Sequence, residues 1–77
     1  MTRHFVYEVN APGLAKTIYS GKNSGVATAR ARFLRDRCGW DARWPEPGSV
    51  RTVAAPNQAK ALEKVFALQI ARGILPS

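Results

Sequence analysis

The chain has 77 residues and carries 12 Lys and Arg against 5 Asp and Glu, a net charge of +7, with 45% hydrophobic and 9% aromatic residues. That length supports one modest core in a single domain, residues 1–77, and that composition excludes a disordered chain. The positive surplus directs the molecule toward polyanions: nucleic acid, an acidic protein face or anionic lipid. No apolar run approaches the ~18–20 residues that a bilayer span needs, and no membrane partner is expected. Cys38 is alone and cannot form an internal disulfide, which fits a reducing cytoplasm. The opening MTRHFVYEV is too short and too regularly alternating for a signal peptide.

Residues 4–9 (HFVYEV) alternate with a period near two and are rich in β-branched and aromatic side chains, which predicts a strand. Asn10-Ala11-Pro12-Gly13 reads as a turn, because Pro12 presets φ and Gly13 accepts positive φ. Residues 14–20 (LAKTIYS) follow as a second strand, with Leu14, Lys16, Ile18 and Ser20 on one face and Ala15, Thr17 and Tyr19 on the other. The short polar turn between the two runs predicts an antiparallel hairpin.

Residues 24–38 (SGVATARARFLRDRC) are rich in Ala, Leu and Arg and read as a helix. Asn23 or Ser24 caps its start, and Gly39 stands where a left-handed residue ends it. At about 100° per residue, Ala27, Ala31, Leu34 and Cys38 fall on one side. Val26, Ala29 and Phe33 form a second apolar strip, separated from the first by Arg30 and Arg37, with Thr28, Arg32, Arg35 and Asp36 on the far face. Two readings of the dividing arginines stand side by side. They snorkel at the margin of a core, or they line a binding surface on which one apolar strip is buried and the other is offered to a partner.

Residues 39–48 (GWDARWPEPG) hold two Trp, two Pro and two Gly and form an ordered loop, with Trp40 or Trp44 closing one end of the core. Residues 49–54 (SVRTVA) alternate again and predict a third strand beside the hairpin. Pro56 and Asn57 open a second helix over 57–72. Leu62, Val65, Phe66 and Ile70 recur there at helical spacing with Ala59, Ala61 and Leu68 alongside, Lys60, Glu63 and Lys64 face water, and Gly73 and Pro76 stop it. This helix is expected to cover the sheet; packing on a second copy is the alternative, so the protein is a monomer or a homodimer.

Reactive chemistry is not expected. A triad needs a nucleophile, a base and an orienting group, and His4 has no carboxylate at a recognisable spacing. Cys38 precedes a helix C-terminus, where the dipole disfavours a thiolate. One His and one Cys cannot supply zinc's roughly four ligands. Asp36, Asp41 and Glu46 each have an arginine nearby in sequence, which accounts for them as local ion pairs. Gly21-Lys22-Asn23-Ser24-Gly25 lacks the P-loop spacing, although a helix start beside Lys22 suits a single phosphate. The protein is therefore expected to be a non-enzyme without cofactor or metal. The candidate partner-binding residues are Lys22, Arg30, Arg32, Arg35, Arg37, Trp40, Arg43 and Trp44, basic side chains interleaved with rings that can stack on bases. No helix-turn-helix, zinc-finger or RNP pattern accompanies them.

The order of Tyr7-x-Val9, Ile18-Tyr19-Ser20-Gly21, Ala27-x-Ala29-x-Ala31 and Ser49-Val50-Arg51 resembles very small phage-encoded proteins, among them several anti-CRISPR proteins, which run strand, strand, Ala/Arg-rich helix, strand. The resemblance covers residues 5–53 and is one of pattern; the second helix extends beyond it. It implies a stoichiometric inhibitor that docks on a host CRISPR-Cas effector complex and blocks its DNA-binding or effector surface. Many members of that class are acidic DNA mimics, whereas this chain is basic, so the implied contact is an acidic protein patch or a bridge to nucleic acid. The class shares no common site, and no residue is carried over from it. A stand-alone basic module binding DNA or RNA is the alternative. The expected fold is α+β: a small antiparallel sheet of about three strands with two helices, in ββαβα order, the helices on one face.

Overall fold

A computed structural model describes residues 2–35 and 42–76, and for Arg35 the description stops at the backbone. The expectations placed on Asp36, Arg37, Cys38, Gly39, Trp40 and Asp41 lie outside the described residues. The element order is β1 (Arg3–Ala11), β2 (Leu14–Gly21), α1 (Ser24–Arg35), β3 (Val50–Ala55) and α2 (Gln58–Ala71). The sheet is antiparallel with β1 in the centre, in the order β2-β1-β3. This is the α+β fold, in ββαβα order, that the alternating and helical runs predict.

β1 and β2 meet at a two-residue tip, Pro12-Gly13, flanked by the Ala11–Leu14 pair. Gly13 has φ +77°, the value that the third position of a Pro-Gly type II turn requires. The hairpin is not regular beyond it. The register steps from Val6–Tyr19 to Tyr7–Thr17, leaving Ile18 as an extra residue. Such a bulge places two consecutive side chains on one face, and Ile18 and Tyr19 accordingly pack together beside Val6. The strict alternation expected for residues 14–20 fails at this point: Ser20, paired with Phe5, falls on the face opposite Ile18.

The helices do not share a face, contrary to expectation. Phe5, Tyr7 and Val9 of β1 pack with Ala61 and Val65 of α2, Ala55 and Trp44. Val6 packs with Ala27 and Ala31 of α1 and with Val50. Successive strand residues point to opposite faces, so α1 lies on one side of the sheet and α2 on the other. The reason is in β1 itself: Phe5, Val6 and Tyr7 are consecutive and fully buried. A strand with apolar groups on both sides needs cover on both, and reads as a continuous apolar run.

Both helices start on an asparagine. Asn23 Oδ1 accepts the Val26 N–H at 3.1 Å, and Asn57 Oδ1 accepts the Lys60 N–H at 2.9 Å. Each satisfies one of the free amides of a first turn. α2 ends where Gly73, at φ +74°, lets the chain reverse, and the Ile74 and Leu75 amides return to the Gln69 carbonyl. The buried line of α2 is Ala61, Val65 and Gln69, with Leu62 and Phe66 half-buried. Ile70, expected in the core, is exposed. Gln69 takes the inner place because its side chain is satisfied there: Oε1 accepts the Gly13 N–H at 3.0 Å and Nε2 donates to the Pro45 carbonyl at 3.1 Å. Lys60, Glu63 and Lys64 face water as expected. No described helix is long and apolar enough to cross a membrane.

Candidate partner-binding face on α1

α1 touches the sheet along a narrow line. Ala27 and Ala31, one turn apart, are its buried residues, and their small side chains bring the helix close to Val6 and Val50. Leu34, expected on the same buried line, is 41% exposed. The second strip of the helical wheel is out in solvent: Phe33 is 86% exposed and Val26 43%. Val26, Ala29, Arg30 and Phe33 line a shallow open depression of about 480 Å³. Of the two apolar strips of this helix, the one at Ala27 and Ala31 is buried and the one at Val26, Ala29 and Phe33 is exposed.

Cations flank that strip. Arg30 lines the depression, and Arg32 falls on the other flank of Phe33 at about 100° per residue. Lys22 is exposed one residue before the Asn23 cap. An arginine stem beside an exposed phenylalanine combines apolar contact with a charged, planar head, the composition enriched at protein interfaces.

The remaining candidates disperse. Arg43 is exposed, but its Nη2 donates to the Gly48 carbonyl at 2.9 Å, tying off its own loop. Trp44 is 4% exposed and sits against Phe5, Tyr7 and Val9. It closes the core as one reading of the loop expects, and a ring so enclosed is not available to stack on a base, so it leaves the list of partner-binding residues. Arg37, Trp40 and the side chain of Arg35 lie outside the described residues. Of the candidates, Lys22, Arg30 and Arg32 are thus exposed, and Arg30 alone of them lines the depression, beside the added Val26 and Phe33. The latter two are apolar and invisible to a search for charge and tryptophan; their signal was the second strip at 26, 29 and 33.

Among the described residues no three His, Cys, Asp or Glu side chains stand close enough to hold a metal ion. His4 lies on β1 and pairs with Ala54 and Gly21, with no carboxylate opposite it in the sheet. No protein-family model, curated protein or solved structure matches the chain.

Proposed function

We propose that this protein is a stoichiometric binding protein that docks through the outer face of α1, as a phage-encoded inhibitor of a host CRISPR-Cas effector complex would. The observation that carries the reading is Phe33, 86% exposed beside Val26 and Arg30. A large ring in water beside a guanidinium fits an anchor that becomes buried against a protein surface. The flanking Lys22, Arg30 and Arg32 make an acidic patch the complementary target.

The test is reconstitution. Purified protein is mixed with assembled effector complexes of several subtypes, and target-DNA binding is followed by gel shift. The expected result is co-elution and loss of DNA binding near equimolar ratio. Phe33→Ser, which removes the ring and no charge, should weaken inhibition about 30-fold or more while thermal unfolding stays put, because so exposed a side chain contributes little to the core. Absence of co-elution across the panel would overturn the inhibitor reading. A second reading, a module for free nucleic acid, is favoured by the same ring, which can stack on a base between two arginines; salt-sensitive binding of naked DNA or RNA would speak for it.

A further inference from the structure

On the opposite side of the sheet, a groove of about 250 Å³ runs between β3 and α2, lined by Trp44, Val53, Val65 and Leu68 and by the cations Arg51 and Lys64. β3 is an edge strand, paired on one side with β1. The Ser49 carbonyl takes the Val9 N–H at 3.0 Å, so alternation turns the backbone groups of residues 51, 53 and 55 inward and those of Thr52 and Ala54 outward. Ala54 bears this out: its carbonyl accepts from Lys64 Nζ at 2.6 Å. A lysine laid on an open strand edge is a guard against uncontrolled pairing, and this guard is an exposed, movable side chain.

We infer that this edge accepts an extended acidic segment of a partner protein as a fourth strand. The segment's backbone pairs with Thr52 and Ala54. Its inward side chains rest on Val53, Val65 and Leu68, and a carboxylate draws Lys64 off the Ala54 carbonyl, freeing that acceptor for a strand N–H. Main-chain bonds along the edge with alternate side chains in a neighbouring groove constitute strand addition. Charge selects the occupant. A second copy of this chain would set Arg51 and Lys64 against their own kind, whereas an acidic strand neutralises them. The inference concerns the face opposite α1 and stands independently of the function proposed above.

The test uses the isotope-labelled full chain and three blocked pentapeptides: alternating Glu and Val, alternating Lys and Val, and the Glu-Val sequence with every backbone nitrogen methylated. The Glu-Val peptide should give saturable amide shifts at Thr52 and Ala54 and slow hydrogen exchange at the Thr52 amide. The Lys-Val peptide should not saturate. The N-methylated peptide, equal in charge but without any strand donor, should lose the binding. Lys64→Glu should weaken the Glu-Val peptide by about tenfold or more. Equal saturation by the Lys-Val or N-methylated peptide would overturn the inference. So would shifts confined to Ala29 and Phe33, or Thr52 shifts that follow protein concentration before peptide is added, which would make the occupant a second copy.

Discussion

Gln69 joins three segments far apart in sequence. Its side chain holds the Gly13 amide at the hairpin tip and the Pro45 carbonyl in the loop before β3, and its own carbonyl receives Ile74 and Leu75 at the end of α2. A fully buried amide is stable only when both ends are matched, and here they are. Replacing it with leucine keeps the volume but strands a donor and an acceptor. Gln69→Leu should therefore lose about 2 kcal/mol in urea unfolding, whereas Ile70→Gln, on the exposed neighbour, should stay within about 0.5 kcal/mol. Nothing in the sequence pointed to this residue. Polarity alone assigns a glutamine to water, and its partners lie 56 and 24 positions away. Tyr7 shows a different residue-scale feature: it is fully buried, stacked on Phe5 with ring centroids 6.0 Å apart, and its hydroxyl has no partner among the described residues.

At the scale of elements, β1 decides the architecture because it is covered on both faces. Val6 is the strand's contribution to the α1 side, where the facing residues are the small Ala27 and Ala31. Val6→Ala should destabilise by about 2 kcal/mol, from the lost transfer free energy and the cavity left behind. Its cross-strand partner Thr52, half-buried on the edge strand, should tolerate Thr52→Ala at under about 1 kcal/mol; equal losses at both positions would contradict the two-sided burial of β1. Much at this scale was legible. The strands, the Pro12-Gly13 turn, both helices and their order follow from period, turn chemistry and asparagine caps, all local signals. The two-sided cover is present in the sequence as the contiguous run Phe5-Val6-Tyr7, but the alternation of the flanking residues is equally that of a strand with a single buried face. The bulge at Ile18 was not legible, because one extra residue leaves the composition of a strand unchanged and appears only in its pairing. Helical angle alone puts Leu34 and Ile70 in the core; the line that is buried, Ala27 and Ala31 on α1 and Ala61, Val65 and Gln69 on α2, is narrower than the apolar arc on either helix.

At the scale of the molecule, the net charge of +7 gives attraction to any polyanion, and an apolar strip gives something more selective. The two separate by substitution. On random-sequence duplex DNA, binding through Lys22, Arg30 and Arg32 neutralises about three phosphates and should show a log–log salt slope of about −3 between roughly 50 and 200 mM salt. Arg30→Glu with Arg32→Glu lowers the net charge by four and should flatten that slope by about two. Phe33→Ser changes no charge and should leave the slope where it was while removing docking on a protein partner. A slope indifferent to the double reversal would place the duplex on other cations, such as Arg51 and Lys64 beside the β3 edge. A slope preserved in Phe33→Ser together with a uniform loss of DNA affinity would instead make the ring a stacking platform, and the α1 face a nucleic-acid surface rather than a protein-docking one.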